Sequence, residues 1–263
     1  MDRNELLKNV KEDPFALEGA EAKFKKDKEI VLAAVKGNGS VLEYAHDSLK
    51  KDKEVVLNAV KNAGCALAFA DKTLKKDKEI VMIAINENGY FFEDADKSLK
   101  KDKNFVLTAI KSSGDALEYA DSSFQKDEKM VLEAIKSNPM ALEYADKSLK
   151  KNKKIVMASV TKNGFALTYA DDSLKKDREV VMASVKTNGN ALKAVDKSLK
   201  KDREITLTAV KDVGRVLEYA DDSFKKDKEI VIAAVENDYD ALEFADKTLQ
   251  KDKDVIKASK KKK

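Results

Sequence analysis

His46 is the sole histidine and Cys65 the sole cysteine of the 263 residues. An imidazole with no second histidine offers neither a metal cage nor a relay for acid–base work. A nucleophilic thiol needs a positioned base, and the sequence offers none for Cys65. A single cysteine also excludes an intrachain disulfide and a thiolate cluster. Acidic residues are abundant, but they return at a fixed interval, as helix caps and solvated faces do. The glycines stand singly, so no phosphate-cradling loop is present. The expectation is a chain that is not an enzyme and carries no catalytic, metal or cofactor site.

Residues suited to binding are better represented. Aromatic side chains recur at Tyr44, Phe69, Tyr119, Tyr144, Tyr169, Tyr219 and Phe244. They could stack on single-stranded bases, although a shared apolar helix face makes core packing the expectation. Runs such as Lys25–Lys28 and Lys50–Lys53 recur at every junction and could form a basic ridge for phosphates. Each run contains an Asp and is mostly followed by Glu, which cancels much of its field. The net charge is only +4, with both signs interspersed. Arginine, the better fork for phosphate, is confined to Arg3, Arg178, Arg203 and Arg215.

What positions these residues is a repeat of 25 residues without insertion or deletion. Counting slots 0 to 24, slot 0 is Asp2, Asp27, Asp52, Asp77, Asp102, Asp127, Asn152, Asp177, Asp202, Asp227 and Asp252. This gives ten full repeats and a truncated eleventh. Residues 1–263 are expected to form a single elongated repeat domain. It would comprise a degenerate capping repeat at 1–26, nine regular repeats at 27–251, and a truncated cap with a lysine tail at 252–263. Gly19 at the usual aromatic slot and Lys257 at an apolar slot suit capping repeats.

Asp at slot 0 is a good N-cap, and the Glu two residues on suits the helix N-terminus. In the second repeat, Ile30, Val31, Leu32, Ala34 and Val35 cover roughly 200° of the helix that follows. So wide an apolar face suits a helix with neighbours on both sides, leaving Glu29, Ala33 and Lys36 outward. Asn38–Gly39 reads as a stop in which glycine supplies a left-handed residue. Pro14, Pro139 and Tyr239 take that slot elsewhere, so those repeats are expected to turn differently. The second helix, as in Ala141–Leu149, places Ala141, Leu142, Tyr144, Ala145, Ser148 and Leu149 on one face. It runs through the Leu, or it stops near Asp146 with the Leu tucked in by a turn. Ser48, Thr73 and Thr248 fill a slot where a hydroxyl bonds a nearby carbonyl or starts a turn. A lone repeat cannot offset its ordering entropy; stacked neighbours can. The fold expected is an all-α solenoid, a superhelical array of short helix–turn–helix repeats.

The pattern of Asp, basic residue, Glu, apolar-Val-Leu, Ala-Val, Asn-Gly, Ala-Leu and Tyr-Ala in "DKEIVLAAVKGNGSVLEYA" resembles the helical repeat family named domain of unknown function 4116. The resemblance covers essentially the whole chain and implies no activity.

Against this fixed frame, slot 13 changes character entirely. It holds Phe15, Ser40, Cys65, Tyr90, Asp115, Met140, Phe165, Asn190, Arg215 and Asp240. Slot 6 varies too, from Ala33 and Asn58 to Thr108 and Glu133. A variable exposed slot in a repeat array can carry specificity along an extended surface, and slot 13 is the candidate partner-binding set. The function expected is a non-catalytic scaffold for an unidentified protein or peptide. The alternatives are a polyanion or nucleic-acid binder using the Lys ridge, and a rod that self-associates head to tail. "MDRNELLKNV" has no apolar run for a secretory signal, and no stretch is long enough to span a membrane. The compartment expected is the cytoplasm.

Overall fold

The computed structural model describes residues 2–260; Met1 and 261–263, which include most of the lysine tail, lie outside it. The described residues are helical with no strand, in an all-α repeat array. The chain separates into two compact units, Met1–Asn138 and Pro139–Lys263.

Each regular repeat holds three helical pieces rather than two. In the second repeat these are an α-helix at Lys28–Gly37, a 3-10 helix at Gly39–Tyr44, and a short turn of helix at Asp47–Lys50. The first is capped as the sequence suggests: the Asp27 carboxylate accepts the N–H groups of Glu29 and Ile30. Ile30, Val31, Ala34 and Val35 are buried, Leu32 is half-buried, and Glu29 and Lys36 are exposed. The helix is therefore flanked on both sides by neighbouring repeats, as its wide apolar face requires.

The glycine slot works differently from the expectation. No described residue has positive φ, glycine included. The slot 11 residue ahead of it is extended and caps the 3-10 helix, with the Asn38 side chain accepting the Ser40 N–H at 3.0 Å. Glycine is present because the next repeat comes too close for a side chain. A Cβ on Gly114 would stand 2.5 Å from the carbonyl oxygen of Ala134. The same clash arises at Gly39 against Ala59, at Gly164 against Ser184 and at Gly214 against Ala234.

Pro14, Pro139 and Tyr239 consequently do not turn differently, and each opens a 3-10 helix like the others. The neighbour adapts instead. The ring of Pro14 fills the space a side chain on Gly37 would need, its Cγ lying 2.6 Å from that Cβ position. The helix beside Pro139 stops early, at Lys153–Val160.

The 3-10 helix stops at its aromatic, and an extended residue such as Ala45 leads to a third cap at slot 19. There Asp146 accepts both the N–H and the hydroxyl of Ser148, at 2.9 and 2.6 Å. Leu149 sits in the separate turn Leu149–Lys151. Ser148 is exposed rather than on the packed face, because its hydroxyl is spent on this cap. His46 does the same work as the aspartates: its Nδ1 accepts the Ser48 N–H at 3.2 Å.

Neighbouring repeats are tied through the main chain. In the first unit the N–H groups of His46, Asp71, Asp96 and Asp121 donate to the carbonyls of Lys25, Lys50, Lys75 and Lys100, each at 3.0 Å. In the second unit Asp171 and Asp246 do so toward Lys150 and Lys225.

Candidate binding surface

The 3-10 helices of successive repeats pack side by side within each unit. Their buried edge is apolar, as with Val41, Leu42 and Ala45 in the second repeat. A 3-10 helix turns in three residues, so slots 13 and 16 eclipse on one edge. That edge is not buried at any of the ten slot 13 positions. Phe15, Tyr90, Phe165, Asn190, Arg215 and Asp240 are exposed; Ser40, Cys65, Asp115 and Met140 are half-buried. Where slot 11 is Asn or Asp it can hold the slot 13 N–H, as Asp13 holds Phe15, Asn88 holds Tyr90 and Asn163 holds Phe165, each at 3.0 Å, whereas Ala63, Ser113 and Val213 provide no such cap.

Slot 13 meets the next repeat at slots 13, 16 and 17. In the first unit Phe15 lies edge-on to Tyr44 with ring centroids 6.5 Å apart, and Tyr90 to Tyr119 at 6.2 Å. In the second unit Arg215 pairs with Asp240 at 3.2 Å and Glu243 at 3.5 Å. These residues line a groove of about 500 Å³ with Tyr239, Leu242 and Gln250. Slots 13 and 16 thus share an edge of each 3-10 helix, and slot 13 reaches slot 17 of the next repeat at the two aromatic pairs of the first unit.

The slot 17 aromatics lie at the boundary between the packed interior and this edge. Tyr44, Phe69, Tyr119, Tyr144, Tyr169, Tyr219 and Phe244 are all half-buried. In the fourth repeat Asp94 takes the slot, and burial raises its pKa. The aromatic bulk there is moved inward to Phe92, which is fully buried against Phe105 at 5.9 Å.

The junction lysines are mostly engaged within the array. At slot 1, Lys28 bonds Asp52 at 2.7 Å and Glu54 at 2.9 Å, and Lys53 bonds Asp77 and Glu79 likewise. In the second unit Lys153 and Arg178 repeat the pattern. The hydrogen bond from Arg3 holds the Asp27 carboxyl below its usual range, and that from Lys153 does so for Asp177. At slot 23, Lys25, Lys75, Lys100 and Lys150 donate to the slot 16 carbonyls of Glu18, Ala68, Glu93 and Glu143, at 2.6 to 2.8 Å. Burial lowers the pKa of Lys100 and Lys150.

Sequence reasoning missed Tyr239 and the slot 16 glutamates Glu18, Glu43, Glu93 and Glu118 as parts of this edge. The spacing of three between slots 13 and 16 was the available signal, once the second helix is taken as 3-10 rather than α. Among the described residues no group of three or more His, Cys, Asp or Glu is placed to hold a metal ion. None of their helices is long and apolar enough to cross a membrane.

The fold and this edge define a helical repeat protein whose recurring feature is a variable, partly aromatic surface. Ten overlapping windows running from residue 2 to residue 262 match the family described as "Domain of unknown function (DUF4116)". The chain belongs to that family. No curated protein and no solved structure matches it.

Proposed function

We propose that the chain is a non-catalytic scaffold that binds a protein or peptide segment along the 3-10 edge of its units. One observation carries this reading. Among the described residues the large apolar side chains that stand exposed are Phe15, Tyr90, Phe165 and Tyr239, at 45, 44, 41 and 50%. Three of them occupy slot 13 and the fourth the slot before it. Exposed aromatics that recur at equivalent places of the repeat in both units, rather than at scattered slots, are what an interaction surface presents. The α-helix edge, by contrast, spends its slot 1 cations on carboxylates of the next repeat.

A displayed library of random peptides, selected against the whole chain, tests the proposal. Binders are expected to be recovered, and the triple variant Phe15→Ala, Tyr90→Ala, Phe165→Ala is expected to weaken them about tenfold or more, or about 1.4 kcal/mol. These side chains are surface residues, so the variant should melt like the parent. Binders that hold equally well to a folded triple variant would refute the proposal.

A further inference from the structure

The aromatic edge of the first unit is also acidic. Glu18, Glu43 and Glu93 are exposed at slot 16 and Glu118 is half-buried there. They lie against the tyrosines: the Tyr44 hydroxyl is held protonated by burial and by Glu18 and Glu43, and Tyr119 is pushed up to about 12 by burial and by Glu118 and Glu93. None of these four carboxylates is in an ion pair among the described residues. The nearby Lys25 and Lys100 instead bond the main-chain carbonyls of Glu18 and Glu93, at 2.7 and 2.6 Å. A cationic partner is the complement of such an edge, through the carboxylates and through the ring faces.

The repeat also selects the partner's backbone. Neighbouring helices pack about 8–10 Å apart. A β-strand returns a side chain to the same side about every 7 Å, and an α-helix about every 5.4 Å. A polyproline II segment has three residues per turn and rises about 3.1 Å per residue, so it returns about every 9 Å. Of these three periods the polyproline II one falls within that range, and grooves lined by aromatics are the surfaces on which proline-rich segments dock.

We infer that the 3-10 edge of the first unit, around the Phe15–Tyr44 and Tyr90–Tyr119 pairs, receives a proline-rich segment bearing Lys or Arg. The segment lies in polyproline II form and advances three residues per repeat. The inference rests on the scaffold reading above and adds the chemistry of the partner.

Fluorescence anisotropy with labelled peptides of about 15 residues and the whole chain tests it; at about 3.1 Å per residue such a length spans both aromatic pairs. The probe has proline at every third position with arginines between. One control replaces proline by glycine at equal charge, and another replaces arginine by glutamate. The probe is expected to bind saturably and to bind about tenfold or more tighter than either control. The charge variant Glu18→Gln, Glu93→Gln, Glu118→Gln is expected to weaken it about tenfold and to flatten its salt dependence. Equal binding of the glycine control would overturn the inference, since charge alone would then suffice. So would the absence of saturable binding up to about 1 mM, which corresponds to about −4.1 kcal/mol. If library-selected peptides of other composition still depend on Phe15 and Tyr90, the scaffold reading stands while this one fails.

Discussion

Phe92→Ala is expected to destabilise the first unit by about 3–5 kcal/mol, the largest loss from any single truncation in the chain. Phe92 heads the fully buried side chains by volume. Every other full repeat places leucine at this slot, for example Leu67 and Leu117 on either side. The larger ring belongs with the loss of an aromatic at Asp94, two residues on, and it packs on Phe105 of the next repeat. Truncation removes an inter-repeat contact and leaves a cavity that fixed neighbours cannot close. Phe92→Leu restores the leucine of the other repeats and should cost less than about 1.5 kcal/mol. Urea unfolding followed by circular dichroism measures both. A loss below about 1 kcal/mol for the alanine variant would mean that repeats four and five close around the gap, contrary to the packing described.

Gly114→Ala is expected to cost about 1–3 kcal/mol, although alanine normally gains about 0.5–1 kcal/mol over glycine within a helix. The sign is reversed by the neighbouring repeat. A methyl at Gly114 meets the Ala134 carbonyl at 2.5 Å and the Asn138 backbone nitrogen at 3.0 Å. Both belong to the main chain of the next repeat and cannot swing away as a long side chain would. Gly19→Ala is the matched control, because nothing lies within 4 Å of its Cβ position. It should be neutral or stabilising by up to about 1 kcal/mol. Thermal melting of both variants separates this steric account from one based on backbone conformation. If Gly114→Ala melts with the parent, the repeats are not in the close contact that the glycine slot implies.

The glycines show where sequence reasoning reached its limit. A glycine after an amphipathic run ordinarily marks a left-handed stop, and nothing within one repeat argues otherwise. The true constraint comes from a carbonyl about 20 residues away in the next repeat, as Ala134 is for Gly114, and it becomes visible only when the repeats are stacked. The pairing of Pro14 with Gly37 carries the same information in sequence, but only to a reader who compares adjacent repeats. The first helix was legible throughout. Its cap at Asp27 and its buried Ile30, Val31, Ala34 and Val35 follow from capping chemistry and period alone.

The second helix was legible in place but not in kind. Its six residues from Gly39 to Tyr44 fit either helix type, and the choice decides which side chains share an edge. Taken as α, slot 13 shares a face with slots 16 and 17; as 3-10, it eclipses slot 16 alone, and slot 17 follows slot 14. That difference sets Glu18 and Glu93 on one edge with Phe15 and Tyr90, while the slot 17 aromatics stay half-buried. His46 carries no signal of its role either. An exposed position in a charged slot reads as free drift, yet its ring caps the turn that Ser48 begins. The fate of the lysines was likewise hidden, because Lys100 spans seven residues to reach the Glu93 carbonyl.

The central claim is that partners meet the 3-10 edge and not the outer stripe of the α-helices. Hydrogen–deuterium exchange of the whole chain, with and without a saturating selected peptide, tests this most directly. The account predicts added protection in the segments Pro14–Leu17, Gly39–Tyr44 and Gly89–Asp94, and none on the outer stripe of Lys28–Gly37. Protection that falls instead on the α-helices, with the 3-10 segments unchanged, would contradict it.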